Sequence, residues 1–199
     1  MKNPTQRRRN GFTLIELMAV ITIIVILAGI VVGSMGYVNE RQANEKAKVQ
    51  IALLSKALEE YKLDNGFYPP TANKSGDFVT QKGTDTSSIL FDYLYWDTDR
   101  DGVGGSNDKD QKVYLPELDP ENNKQGWTSG GASASTKILD PWNNEYCYRS
   151  AIGAAKGGSP PSPNNATQNP EFDLWSMGKN GKTRRSPSHK ENADDIRNF

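Results

Sequence analysis

From Leu17 to Met35 the chain runs nineteen residues without a charge, broken only by Thr22, Ser34 and two glycines. At ~1.5 Å rise per residue, an apolar helix of about 20 residues crosses a bilayer core. A run this long constrains the chain more than any other feature: it either spans a membrane or is removed as an export signal. One carboxylate, Glu16, sits at its N-terminal edge, after a leader that holds Lys2, Arg7, Arg8 and Arg9. A carboxylate at membrane depth costs ~2.5–3.5 kcal/mol even on the lenient insertion scale, so Glu16 reads as a functional residue. Three arginines directly before an apolar span place the N-terminus in the cytoplasm and the rest of the chain outside the inner membrane.

A secretory signal is the alternative, with Ser34-Met35-Gly36 as its small-residue cleavage site, and the arginines also fit a twin-arginine export signal. Against both, the apolar core exceeds the usual ~7–15 residues, and Glu16 falls where such a core is uninterrupted.

The heptapeptide Gly11-Phe12-Thr13-Leu14-Ile15-Glu16-Leu17 resembles the processing site of type IV prepilins and type II secretion pseudopilins. In those families a peptidase cuts after the glycine and methylates the new N-terminal phenylalanine. The resemblance therefore implies Gly11 and Phe12 as the processing and methylation positions. It also implies that Glu16 is an assembly residue meeting the Phe12 amine of a neighbouring subunit. The residues themselves leave two further roles open for Glu16. It can pair with the Phe12 amine of its own chain, one helical turn away, or rest among lipid head groups at the positive end of the helix dipole.

The apolar run meets no breaker. It continues through Asn39-Glu40-Arg41-Gln42 into a stretch where Ala43, Ala47, Ile51, Leu54, Leu58 and Tyr61 recur at helical spacing. Asn65-Gly66 and then Pro69-Pro70 give the stop. The expectation is one helix from about residue 13 to 64, embedded in its first half and packed in its second. The segments expected are a leader at 1–11, a transmembrane and assembly helix at 12–38, an amphipathic half at 39–66 and a periplasmic globular head at 67–199. The fold class expected is α+β, pilin-like: the long helix against a small antiparallel β-sheet with enlarged loops.

Further motifs resemble the major pseudopilin of type II secretion. The helix end from Leu58 to Pro69 is one. The turn Asp140-Pro141-Trp142-Asn143-Asn144-Glu145-Tyr146 resembles that family's Asp-Pro-Trp-Gly-Asn-x-Tyr. The segments Phe172 to Gly178 and Asp195-Ile196-Arg197-Asn198-Phe199 resemble its closing strand and tail. Residues 72–135 and 153–170 diverge and read as enlarged loops without a core-forming period. Residues 146–149 and 171–175 read as alternating strands of one hairpin. Trp142, Trp175, Tyr146 and Tyr148 are expected in the core.

Removing the four leader cations from 24 basic residues leaves 20 against 24 acidic ones, which argues against a nucleic-acid partner. Cys147 is the only cysteine, so no internal disulfide forms, and with the single histidine, His189, it makes no nucleophile–base pair.

Two segments suit calcium, which takes six to eight oxygens. In the major pseudopilins the segment after the last strand and the tail close around this ion. The resemblance thus implies Asn180, Asp194 and Asp195 as ligands, with the carbonyls of Met177 and Lys182. Asn180 supplies a neutral oxygen where relatives place an aspartate, and the insertion from Arg184 to Lys190 is basic; both weaken affinity. The second segment, Asp97-Thr98-Asp99-Arg100-Asp101-Gly102, has the EF-hand pattern of oxygens at positions 1, 3 and 5 with glycine at 6. Val103 falls at position 7, and Asp108 at position 12 replaces the usual glutamate. A flexible acidic loop is its plainer reading.

The function expected is a structural, non-enzymatic subunit of the type II secretion pseudopilus. Its implied partners are further copies of itself in a helical filament, prepilin peptidase, the inner-membrane assembly platform, minor pseudopilins and membrane lipid. A type IV or minor pilin with adhesive loops is the alternative.

Overall fold

The computed structural model describes residues 12–71, 86–99, 104, 111–123, 125–151, 167–184 and 188–199. Helix α1 spans Leu14–Asn65. It contains no proline, and Gly66 ends it at φ +80°, its N–H bonding the Lys62 carbonyl at 2.7 Å. Only glycine enters that left-handed conformation without cost, which is why it stands just past so many helices.

The chain divides into two compact units, the first ending at Gln42 and the second running from Ala43 to Phe199. In the first, the helix from Leu14 is exposed all round and is long and apolar enough to cross a membrane. In the second, α1 buries Ala47, Gln50, Ile51, Leu54, Ala57, Leu58 and Tyr61. That is the three-and-four spacing of a single helical face. Burying one large apolar side chain from such a face contributes ~1.5–3 kcal/mol.

The core around this face draws on a stretch expected to be loop. Helix α2 (Thr86–Phe91) and the π-helical turn Asp92–Trp96 supply buried Leu90, Phe91 and Leu94, and the segment after them supplies Leu115, Leu118 and Trp127. The expectation that residues 72–135 lack a core-forming period is therefore corrected. The run Ile89-Leu90-Phe91-Asp92-Tyr93-Leu94 is too short to show a period, yet it joins the same core cluster as the buried face of α1, packing on residues 137–138 and 147–150 with Tyr93 edge-on to Tyr61. Tyr61 is the hub, with Phe67, Tyr93 and Tyr114 edge-on at 5.9, 5.7 and 5.2 Å.

Strands β1 (Thr128–Ser129) and β2 (Lys137–Ile138) form a two-stranded ribbon. Strands β3 (Cys147–Ser150), β4 (Phe172–Ser176) and β5 (Ile196–Arg197) form an antiparallel sheet in the order β3-β4-β5. Cys147 pairs with Trp175, Ser150 with Phe172, and Trp175 with Arg197. The expected hairpin is present one residue further along; most of its connection, 152–166, lies outside the described residues. Trp175, Tyr146 and Tyr148 are buried as expected. Trp142 is not: it is half-exposed, because it rides on the outer corner of a tight turn.

Candidate functional site

Three places bear on function: the N-terminal cap of α1, the junction of the β4 exit with the tail, and the acidic segment after Trp96. At the first, Glu16 Oε2 accepts from the Thr13 N–H at 2.8 Å and the Thr13 hydroxyl at 2.9 Å, while the Glu16 N–H donates to Thr13 Oγ1 at 3.3 Å. This is a capping box, in which a Thr and a Glu three residues on satisfy backbone donors that the helix cannot. In the chain that still carries its leader, the cap occupies Glu16 with Thr13. Thr13 went unassigned in the sequence, although Thr-x-x-Glu ahead of an apolar run is a legible capping signal. Gly11 lies outside the described residues.

The second place rests on a buried turn. Asp140, 3% exposed, accepts from the Trp142 N–H at 3.0 Å and the Asn144 N–H at 2.8 Å on one oxygen, and from the Ser176 hydroxyl at 2.5 Å on the other. Burial raises its carboxyl above the ordinary range against the pull of these donors, Ser176 foremost. Asn143 takes φ +67°, at the position where the resembling motif has glycine; asparagine tolerates this left-handed region better than most side chains. The turn holds the β4 exit in two ways: Asn144 Nδ2 donates to the Gly178 carbonyl at 2.7 Å, and Asp140 fixes the Ser176 hydroxyl, whose oxygen in turn accepts from the Gly178 N–H at 3.0 Å.

On that exit, Gly178 lies so close to Asp194 that a Cβ would strike its carbonyl and carboxylate. Asn180 gathers the tail. Its N–H bonds Asp194 Oδ2 at 2.8 Å, its Nδ2 donates to the Glu191 carbonyl at 2.7 Å and to Asp194 Oδ1, and its Oδ1 accepts from the Lys182 N–H at 2.6 Å. The Asp195 side chain is fully buried and accepts on Oδ2 from Thr183 Oγ1 at 2.8 Å and from Arg197 at 2.7 Å. Its Oδ1 has no hydrogen-bond partner among the described residues. Burial raises the Asp195 carboxyl, opposed by Arg197 and Thr183. The fold thus brings Met177, Asn180, Lys182, Asp194 and Asp195 into one neighbourhood.

An orphaned, buried carboxylate oxygen beside a second aspartate and an amide fits a calcium ion by donor chemistry. The Arg197 guanidinium on Asp195 and the donating amide of Asn180 occupy part of that capacity. Among the described residues, no group of three His, Cys, Asp or Glu side chains is placed to hold a metal.

At the third place, Asp97 and Asp99 follow the π-helical turn, and Asp101, Val103 and Asp108 lie outside the described residues. The base of this loop is tied: Gln111 Oε1 accepts from the Thr98 N–H at 3.3 Å, and the Tyr114 N–H bonds the Leu94 carbonyl at 3.0 Å. The Trp96 ring lies against Gly104, where a Cβ would collide with it. Cys147 is buried and its thiol is pushed up by burial, so it is a core residue.

The prokaryotic N-terminal methylation motif matches residues 6–32, and type II secretion system (T2SS), protein G, matches residues 35–105. Type II secretion system core protein G of Escherichia coli strain K12 is 30% identical over 139 residues, 70% of this chain and 70% of that protein. The protein of the same name from Pseudomonas aeruginosa strain PAO1 is 29% identical over 177 residues, 89% of this chain and 88% of its own length. That of Aeromonas hydrophila is 47% identical over 66 residues, 33% of this chain and 46% of the relative. Against the Dickeya, Aeromonas and Vibrio relatives the chain spans about half of their length, 52%, 46% and 51%.

Proposed function

Because this chain belongs to the type II secretion system protein G family, we propose that it is the repeating subunit of a periplasmic secretion filament. Prepilin peptidase cuts after Gly11 and methylates Phe12. The apolar part of α1 then holds the subunit in the inner membrane, N-terminus in the cytoplasm and head in the periplasm, until the assembly platform and minor pseudopilins draw it into the growing fibre. One observation carries this reading: an exposed, uncharged helix whose only early carboxylate is already satisfied by its own cap. Such a helix enters the bilayer with its charge hydrogen-bonded, and it leaves when a neighbour offers Glu16 a better donor. The Glu16→Ala variant tests this. Processing should remain intact while fibre yield falls steeply; unchanged fibres would remove Glu16 from assembly.

We further propose that Asn180, Asp194 and Asp195, with the Met177 and Lys182 carbonyls, hold calcium, which would supply positive charge to the buried Asp195 oxygen and fasten the tail to the β4 exit. The loop containing Asp97, Asp99, Asp101, Val103 and Asp108 is a second calcium segment by its spacing. Calorimetric titration of the protein and of Asp99→Ala counts and assigns the ions: two, of which the variant loses one, support both sites, one that the variant keeps supports the tail site alone, and none overturns both.

A further inference from the structure

We infer that Asn180 is a site of spontaneous deamidation, selected by the fold over the other described Asn-Gly pair. The dipeptide occurs three times, at Asn10-Gly11, Asn65-Gly66 and Asn180-Gly181. The first lies outside the described residues; in the other two Asn65, Gly66 and Asn180 are exposed and Gly181 is half-buried, and the sites differ in chemistry. In the reaction the glycine backbone nitrogen loses its proton to solvent base and attacks the asparagine Cγ. The new C–N bond closes a succinimide, and the Cγ–Nδ2 bond breaks. Nδ2 takes a proton from water and leaves as ammonia. Water then opens the ring at either carbonyl, giving aspartate or isoaspartate, with no change of oxidation state.

Two requirements follow: a glycine N–H that is free to react, and a polarised side-chain carbonyl. At Gly66 the N–H is fixed in the last turn of α1, donating to the Lys62 carbonyl at 2.7 Å. At Gly181 the N–H reaches the Gly178 carbonyl only at 3.4 Å, near the limit of any hydrogen bond. Asn180 Oδ1 accepts from the Lys182 N–H at 2.6 Å, which draws electron density from Cγ and folds the side chain over the intervening Gly181 peptide. Asn65 Nδ2 donates to the Tyr61 carbonyl at 3.0 Å and the Tyr114 hydroxyl at 3.1 Å, just as Asn180 Nδ2 donates to Glu191 and Asp194, so the amide bonds do not separate the two sites; the glycine N–H and the bond onto Asn180 Oδ1 do. Both criteria favour residue 180.

The product removes the amide donors that now satisfy the Glu191 carbonyl and the Asp194 carboxylate and sets a third carboxylate beside Asp194 and Asp195. Like charges at this spacing repel unless a cation joins them, so the modified tail should bind divalent ions more tightly. That consequence rests on the calcium reading above; the modification does not.

The experiment incubates the full chain, folded in detergent, in water enriched in heavy oxygen at mildly alkaline pH, followed by acidic digestion and peptide mass analysis. Heavy oxygen should enter the Asn180 peptide several-fold faster than the Asn65 peptide, and unfolding in urea should bring the two rates together. Equal rates in the folded protein, faster labelling at Asn65, or no labelling at either site would overturn the inference. Asn180→Asp should bind calcium several-fold more tightly than fresh protein; equal affinity would overturn the consequence alone.

Discussion

Replacing Asp140 tests whether one buried carboxylate organises the whole end of the head. Its oxygens accept from two backbone N–H groups and one hydroxyl at 2.5–3.0 Å at a site only 3% exposed. Asp140→Ala leaves all three donors without that acceptor. A stranded buried donor costs ~1–3 kcal/mol, and such losses within one network are not additive. Relief of the carboxylate's own burial cost offsets part of this, since that burial already raises its pKa. The net expected is about 3–4 kcal/mol, which in a chain of this size lowers the melting temperature by roughly 10 °C. Asp140→Asn keeps an oxygen for the Trp142 and Asn144 N–H groups and fails only at Ser176, so it should cost ~1–2 kcal/mol. Urea unfolding in detergent, followed through the buried Trp127 and Trp175, gives both values. A loss under ~1 kcal/mol for alanine would refute the network's energetic role, as would an asparagine variant as damaged as alanine.

At φ +67°, Asn143→Ala should lose about 1 kcal/mol while Asn143→Gly stays within a few tenths; equal effects in the same unfolding assay would count against strain at this turn. Lys62 and Tyr68 hold the Glu171 carboxyl below its ordinary value of 4.5. Its contribution is therefore present above that value and lost as pH falls through the lower folded value. Glu171→Gln should cost no more than ~1 kcal/mol at neutral pH, because solvent screens a pair this exposed, and nothing in strong acid. A loss that persists in acid would assign the effect to packing. Asp195→Ala should lower the melting temperature even in chelator, because it strands Thr183 and Arg197, and should lower it further with calcium present; equal loss in both would leave calcium no part in holding the tail.

The helix was legible because its signals are local and redundant: an unbroken apolar run, a period of three and four, and a glycine stop. The β3–β4 hairpin showed through alternation, and the Asp140 turn through its resemblance to a family motif. What escaped depends on contacts distant in sequence. Leu90, Phe91 and Leu94 are core residues because the fold brings them into one cluster with α1, β2 and β3, and Trp142 is half-buried because of which way a tight turn points. Thr183 reaches Asp195 Oδ2 from twelve residues away and carries no motif, whereas Arg197, two residues along the same tail, is a local partner whose role the tail motif does not state. Thr13 is legible in local sequence, because Thr-x-x-Glu ahead of an apolar run makes Glu16 half of a cap as well as a membrane carboxylate.

The intact mass of the protein, recovered from membranes of cells that carry a prepilin peptidase, tests the filament-subunit reading most directly. The expected mass is that of a chain beginning at methylated Phe12. A chain beginning after Gly36, or one that keeps its basic leader, would contradict it.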